Sequence, residues 1–496
     1  MKAKTAILII IVISAALRIY NIEQKNLWFD EVYSWKISQG SVVDIVSETS
    51  GDIHPPFYYL VLKFWMKLFS DSVYSMRMLS VMLSLLSIYF IYRLSKLFLE
   101  KDYQVMLVLI LYAVSPLNIY YSQEVRMLNL NLFLCLGSVY YFLVYSESRS
   151  KLSGLLYVLF TILAIYTHYF AFLILFTELI LSIIFYIKKK SGKNSLPGFL
   201  ICFTIINLFY LPWYPVFFSQ TSKGQPWRTS QSILKTGSNI LDYFKDVFLS
   251  TYYTFESSAV FYFSVFISLL IVTFLIYVLF KTLNPKQYTP EKHSIPEKQY
   301  TLILLFFVPF FTAIFISVRQ SILFSRYLSI LLPYLFILLV YSSYANFNKK
   351  ISAAFLILLI STSCFGTYIN FENNFKNNDY RKIISYIERN YKQNDEIIAE
   401  PHFMGWSLNY YIRHSDSEIK SPQIFGWDLN MQLDSLSRRD DMKNIWFILD
   451  YSALGKNNYD SLSVLMNKNG YQKLSEKIFY IIPSKVKVEY FVKQEN

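Results

Sequence analysis

The sequence predicts a polytopic α-helical membrane protein of about eleven transmembrane helices, with a small α/β domain outside the membrane. Three observations predict it. Of the 496 residues, 54% are hydrophobic and 16% charged, against roughly 25% charged in soluble domains. The mean hydropathy is positive, at +0.33. Apolar runs recur, and 127–146, 194–222, 299–318 and 327–348 contain no Asp, Glu, Lys or Arg. Such runs match the roughly 20 residues needed to cross a bilayer core.

Helices are expected near 5–22, 77–99, 104–120, 127–145, 152–167, 170–187, 197–218, 257–281, 299–318, 324–343 and 351–370. The first follows the basic start Met1-Lys2-Ala3-Lys4 and resembles a signal peptide. With no small-x-small cleavage site and more spans behind it, it reads as a retained helix. The stretch 152–187 reads as two tight spans or as one long helix with re-entrance, and splitting it gives eleven. The 19% aromatic content, with 43 Phe and 42 Tyr, suits helix ends seated among lipid headgroups.

Orientation follows from Lys and Arg. With the N-terminus in the cytoplasm, the inner segments hold 17 Lys/Arg in about 52 residues and the outer loops 12 in about 110, so positive charge concentrates inside. An odd number of spans places everything after 370 on the extracytoplasmic side of the cell (inner) membrane. The chain thus divides into a transmembrane module, 1–370, whose first outer loop is 23–76, and an extracytoplasmic soluble segment, 371–496. Within the loop, Phe57–Phe69 is amphipathic enough to lie in the interface plane. In the soluble segment, helices are expected over 381–391 and 461–469, and strands over 396–399, 445–449, 479–483 and 486–492.

A net charge of +13 invites a nucleic-acid reading, but the basic residues lie between hydrophobic spans and form no stripe. Cys135, Cys202 and Cys364 sit far apart in apolar runs and read as small core hydrophobes, not a disulfide or a metal knuckle.

Chemistry-bearing residues recur on the outer face. Trp28-Phe29-Asp30-Glu31 places two adjacent carboxylates after the first helix, and His54-Pro55-Pro56 follows in the same loop. Such a pair near an interface can serve as general base for a hydroxyl or amine; the bland reading is a helix N-cap. Ser122-Gln123-Glu124-Val125-Arg126 follows the third span, and a solvated Glu–Arg pair is its commoner fate. Thr167-His168-Tyr169 sets a histidine where two spans meet, more often a structural position than a catalytic one. Arg77, Arg319 and Arg326-Tyr327 lie at outer helix ends, where arginines either bind phosphate bidentately or snorkel. Glu178 lies inside a span, where an ionisable group faces a bundle interior or a cavity; it reads equally as functional or as a protonated packing residue.

In order along the chain, Arg18-Ile19-Tyr20, Leu27-Trp28-Phe29-Asp30-Glu31, His54-Pro55-Pro56-Phe57-Tyr58-Tyr59 and Arg77-Met78-Leu79-Ser80 resemble the start of the bacterial glycosyltransferase family 39-like proteins. These are related to the protein O-mannosyltransferases and the aminoarabinose transferases of lipid A, in the GT-C fold. Ser115-Pro116 with Tyr121-Ser122-Gln123-Glu124-Val125-Arg126-Met127, and then Tyr166-Thr167-His168-Tyr169, are similar to the family's later signatures. The resemblance spans roughly 5–345 and is strongest before 170. It implies a sugar transferase with a polyprenyl-phosphate-linked donor, inverting the anomeric centre in one displacement. Carried onto this chain, it implies Asp30 as the base with Glu31 beside it, and His54, Gln123 and Glu124 shaping the sugar or acceptor pocket. It further implies Arg77, Arg126 and Arg326, the last with Tyr327, around the departing phosphate, and His168 in the same cavity. Family variants differ in their use of a divalent cation; the sequence holds no dedicated ligand cluster, so no cofactor is assigned. The acceptor is a protein, a lipid or a glycan.

Two other classes fit a polytopic chain. A transporter or flippase of lipid-linked saccharides would concentrate polar groups at mid-membrane, break helices with Gly or Pro and often repeat its halves. Here Gly numbers only 13, and the polar groups cluster at one face. A non-catalytic scaffold leaves the Asp30–Glu31 and Gln123–Arg126 segments without a role.

Overall fold

The computed structural model describes residues 3–188, 196–223, 232–249, 258–283, 297–372, 380–392, 395–400, 402–415, 419, 444–450, 457–481 and 484–494. The chain divides into two compact units. One comprises Met1–Ile22, Gly40–Leu68 and Met76–Asn373, the other Glu23–Gln39, Phe69–Ser75 and Asn374–Asn496. The first outer loop, expected over 23–76, is therefore shared between them.

In chain order the first helices are α1 (Ala3–Ile19), α2 (Phe29–Gln39), α3 (Val42–Gly51), α4 (Phe57–Phe69), α5 (Val73–Phe98), α6 (Asp102–Val114) and α7 (Pro116–Ser122). Next come α8 (Leu128–Ser148), α9 (Lys151–Ile165), α10 (Ala171–Ile187), α11 (Leu196–Tyr210), α12 (Tyr214–Lys223) and α13 (Ile233–Phe248). The bundle ends with α14 (Ser258–Leu283), α15 (Glu297–Ser317), a 3-10 turn at Tyr327–Leu331, α16 (Leu332–Asn346) and α17 (Lys349–Glu372).

Among the described residues, seven helical stretches are long and apolar enough to cross a membrane: Val73–Phe98, Leu128–Ser148, Leu196–Ser222, Ser258–Leu283, Lys298–Ser317, Tyr327–Asn346 and Lys349–Glu372. Taken together, α6 and α7 make an eighth, bent by 55°. The chain is a multi-pass membrane protein. Three of the expected spans correspond to shorter helices: α1, α9 and α10 have 17, 15 and 17 residues, below the roughly 20 of a straight crossing. A tight turn after Ile165, in which the Thr167 and His168 amides both donate to the Ala164 carbonyl, is what ends α9.

Position in the bundle follows from which helices are apolar all round. Helices α8 and α16 are buried around most of their circumference and form the centre. By contrast, α11 and α14 expose Leu200, Phe209, Tyr262, Phe266 and Phe280, as a lipid-facing surface requires.

The bend between α6 and α7 is written in the chemistry of Pro116. Proline has no N–H, so the Tyr112 carbonyl loses its helical donor. The Arg18 guanidinium replaces it at 3.2 Å and also reaches the Ala113 carbonyl at 3.1 Å. Asn118 Nδ2 supplies a second bond to Tyr112 at 3.3 Å, and Thr367 Oγ1 donates to the Val114 carbonyl at 2.9 Å. Arg18 itself is fully buried, and Ser84 and Ser14 accept its remaining protons. On the far side, Ser115 Oγ donates to the Val247 carbonyl at 2.9 Å, near the end of α13. That end lies against α17 at Gly366, where a Cβ would fall 1.7 Å from the Leu249 carbonyl oxygen. Only glycine admits that approach.

The second unit contains α2 together with α18 (Tyr380–Glu388), β1 (Asp395–Glu400), α19 (His402–Arg413), β2 (Asn444–Asp450), α20 (Asn457–Lys468), β3 (Tyr471–Ile481) and β4 (Ser484–Lys493). Its four strands run in the order β1-β2-β4-β3. The β1–β2 pair is parallel, with Ile397 opposite Trp446, and the other two pairs are antiparallel. Strand β2 is buried along its whole length, as expected of an interior strand reading Asn-Ile-Trp-Phe-Ile-Leu-Asp. Trp446 stacks on Tyr490 at 4.1 Å and donates to Asp395 at 2.9 Å, beside a 2.7 Å bond from Asn444. All six elements expected after 380 overlap observed helices or strands. Helix α19 and the first half of β3 were not expected, and residues 482–483 of the 479–483 strand lie outside the described residues.

Candidate active site

In the helical unit, four of the sequence-singled residues converge. Arg126 Nη2 lies 3.2 Å from His54 Nε2. Because a guanidinium only donates, His54 Nε2 accepts, and its neutral ring carries the proton on Nδ1. The His54 and His168 rings are 5.4 Å apart, and His168 lies 5.2 Å from the Tyr327 ring. The fixed Phe170 N–H donates to His168 Nδ1 at 3.2 Å, which sets the His168 proton on Nε2. All four side chains are buried. Arg326, the neighbour of Tyr327, holds its guanidinium 4.8 Å over that ring, and Arg319 is exposed.

His54, His168 and Tyr327 line a cavity of about 250 Å³ whose walls are mostly apolar, among them Phe170, Phe217 and Ile322. Three polar residues that sequence reasoning missed, Gln220, Thr221 and Gln320, also line it. Gln220 Nε2 donates to the Thr49 carbonyl at 2.8 Å and to that of Ser50 at 3.2 Å, and Tyr169 donates to its Oε1. The Tyr169 oxygen accepts from Trp213 Nε1 at 3.1 Å. Burial pushes the Tyr169 phenol up to about 12, so it stays protonated and acts as a donor. A lone glutamine at a helix end carries no sequence signal.

The Arg326–Tyr327 segment is anchored from α13. Ser325 Oγ donates to Asp246 Oδ2 at 2.5 Å, and the Tyr243 hydroxyl donates to the Leu328 carbonyl at 3.4 Å. Burial pushes the Asp246 carboxyl up to about 7, against the opposing pull of Lys245 and the Ser325 bond. Lys245 Nζ lies 3.5 Å from Asp246 and 3.3 Å from Asp242.

Three other expected residues serve the surrounding frame. Gln123 Nε2 donates to the carbonyls of Arg18 (3.0 Å) and Tyr20 (2.8 Å), closing the C-terminal end of α1. Arg77 Nη1 donates to the Ile22 carbonyl at 2.6 Å, and the Glu124 carbonyl accepts from Ser80 Oγ at 2.5 Å. Gln123, Glu124 and Arg77 are buried and are not among the cavity's lining residues. Glu178 is also elsewhere: Ser138 donates to one of its oxygens at 2.7 Å and Tyr157 to the other at 3.1 Å. Hydroxyls thus knit Glu178 into the packing of α8, α9 and α10.

Asp30 and Glu31 belong to the second unit, in the first turn of α2. The Trp28 N–H donates to Glu31 Oε2 at 3.2 Å. The fully buried Glu31 therefore does the capping work, with Trp28 as the N-cap residue and Glu31 three places on. Asp30 follows the cap and remains half-buried.

Among the described residues no group of three or more His, Cys, Asp or Glu is placed to hold a metal ion. The His54–His168 pair does not fit a dication, because its Nε2 and Nδ1 acceptors already take the Arg126 guanidinium and the Phe170 N–H.

No curated protein matches the chain in sequence. Residues 53–213 match the dolichyl-phosphate-mannose-protein mannosyltransferase family, a stretch that includes His54, Arg126 and His168. Among solved structures, ArnT from Cupriavidus metallidurans bound to undecaprenyl phosphate aligns with a TM-score of 0.60 at 10% identity, over 97% of each chain. The Archaeoglobus fulgidus oligosaccharyltransferase aligns at 0.55 and 12% identity, over 95% of this chain and 73% of that one. The arabinofuranosyltransferase AftD from Mycobacteria aligns at 0.52 and 9%, over all of this chain and 40% of that one. This is the GT-C fold. At such identities the likeness is one of architecture. Within the GT-C fold of this chain, the motif at 54–59 supplies one cavity residue, His54, that at 115–127 the bend that leads to Arg126, and that at 166–169 the turn that carries His168.

Proposed function

We propose that this chain is a membrane glycosyltransferase that moves a sugar from a polyprenyl-phosphate-linked donor to an acceptor hydroxyl or amine on the extracytoplasmic face. The observation that carries the reading is the buried Arg126–His54–His168–Tyr327 cluster, of which His54, His168 and Tyr327 line a largely apolar cavity and Arg126 backs His54. A lipid phosphate needs both parts: apolar walls for the chain, and cations with fixed donors for the phosphate. The liganded ArnT structure, which holds undecaprenyl phosphate in the same architecture, supports this donor class.

In the proposed reaction Asp30 accepts the proton of the acceptor group, whose oxygen or nitrogen attacks the anomeric carbon. The bond from that carbon to the phosphate oxygen breaks, and polyprenyl phosphate leaves with the electron pair. Arg126 and Arg326, with Arg77 in support, stabilise the negative charge that grows on the leaving group. Glu31 holds the turn that presents Asp30, and Gln123 and Glu124 act from the frame that positions Arg126. A single displacement inverts the anomeric centre.

We further propose that α1, α9, α10 and the α6–α7 pair complete a set of eleven spans in the cell (inner) membrane. The N-terminus is then cytoplasmic and the segment after 370 extracytoplasmic. A tag at Asn496 should be labelled on spheroplasts without permeabilisation; labelling only after permeabilisation overturns this orientation.

The deciding experiment offers purified protein in nanodiscs a panel of polyprenyl-phosphate sugars, wild type beside Asp30→Asn. Release of polyprenyl phosphate by the wild type alone is the expected result. Saccharide crossing the bilayer with no release by either protein would replace this reading with a flippase.

A further inference from the structure

Helix α2, which carries Asp30, has only 11 residues. Isolated helices shorter than about 12–15 residues are marginal in water, so packing must hold it. The residues that hold it come from far along the chain. Trp406 of α19 meets one stripe of α2 at successive turns. Phe29 stacks on it at 6.0 Å and 15°, Tyr33 lies at 5.7 Å, and the Lys36 ammonium sits 4.8 Å from its ring centre. The spacing of 29, 33 and 36 is that of one helix face.

Both ends of α2 are tied to the same partner. Before the helix, the Leu27 N–H donates to the Tyr411 hydroxyl at 2.6 Å. Toward its end, Trp35 packs edge-on against Tyr410 at 5.1 Å and donates to Asp71 Oδ2 at 2.9 Å. Asp71 in turn accepts from the Tyr410 hydroxyl through its carbonyl at 3.0 Å, and its Oδ1 lies 3.1 Å from His414 Nε2.

We propose that α19 is a positioning element for the reaction: it clamps the acid-bearing helix, with Trp406 and Tyr411 fixing where the Asp30 carboxylate stands. This rests on the reading of Asp30 as base. The segment after 370 then belongs to the catalytic apparatus rather than hanging from it, although none of its residues need touch substrate.

The test uses the full chain in nanodiscs, with Trp406→Ala, Trp406→Phe and Tyr411→Phe. A displacement of about 1 Å at a reacting group can cost roughly a hundredfold. Trp406→Ala should therefore lower kcat about 10- to 100-fold, leave the donor KM and undecaprenyl phosphate binding within about twofold, and speed amide exchange across 29–39. Trp406→Phe should recover most of the rate, and Tyr411→Phe, which keeps its ring, should give a smaller loss of the same kind. A Trp406→Ala enzyme with kcat within about twofold of wild type overturns the proposal. So does a loss of rate that merely tracks lost donor binding and a lowered melting temperature. Wild-type protein inactive on every donor would sink the transferase reading instead. The exchange measurement still decides the clamp in that case, because unchanged protection of α2 in Trp406→Ala rejects it.

Discussion

Two acidic segments carry the sequence resemblance, and they are held by opposite means. The Gln123–Arg126 segment follows a proline-broken helix deep in the bundle, and buried hydrogen bonds to backbone carbonyls fix its frame. Asp30 sits in the first turn of a short helix held mainly by aromatic faces and a hydroxyl from more than 370 residues away. The first arrangement is stiff, since releasing its bonds leaves buried carbonyls short of donors. The second is only as well placed as its distant partner, since an 11-residue helix is marginal without the packing of α19.

The strongest way to test the division is at the end held by the distant partner. Asp30→Asn should lower turnover by about 10²–10⁴, the usual worth of a general base, with melting temperature and undecaprenyl phosphate binding unchanged. Near-normal turnover would remove Asp30 from that role. Next comes the phosphate side. Arg126→Gln should reduce release of polyprenyl phosphate by about 10²-fold, as loss of one transition-state donor does. The same variant should weaken phosphate binding, which Asp30→Asn should not.

Stability effects should fall on the stiff side. Arg18→Met takes the Arg18 donor from the Ala113 carbonyl and leaves Tyr112 with Asn118 alone, and at about 1–3 kcal/mol for a buried orphan it should lower stability measurably in a detergent melt. An unchanged melt would show that the bend stands without its clamp. Gly366→Ala should cost about 1–3 kcal/mol by overpacking, because its new Cβ meets the Leu249 carbonyl.

The smallest effect concerns Asp246. Burial raises its carboxyl from 3.8 to about 7, so the folded state favours the protonated form. Its contribution to stability is complete below pH 3.8 and is lost as pH rises through about 7. Asp246→Asn should flatten that part of the melting profile between about pH 4 and pH 8. A profile identical to wild type would show that Asp246 titrates alike in both states.

The same contrast explains what could be read in advance. The bend was not foreseen, because 104–120 reads as one apolar span and Ser115-Pro116 enters only through the resemblance, whereas His54, Arg126 and His168 stood out as ionisable groups between apolar runs. That Gln123 and Arg77 turn toward the backbone near the end of α1 was not legible, because a freed carbonyl leaves no mark on composition. Nor was α19: its Trp, Tyr and Gly405 argue weakly for a helix, and its order rests on partners distant in sequence. The first half of β3 escaped for another reason. It is an edge strand whose Lys473, Glu476 and Lys477 keep neighbouring chains from pairing with it, and those charges disguise it as a loop.

The bend itself sets a depth. Helix α7 has 7 residues, about 10 Å of length at 1.5 Å per residue. Turned by 55° from α6, it advances only about 6 Å along the parent axis. The signature segment that follows stops about 4 Å short of where a straight rod would have carried it. Pro116 therefore works as a spacer along the α6 axis, setting the segment that carries Glu124 and Arg126 about 4 Å nearer to α6 than an unbroken helix would.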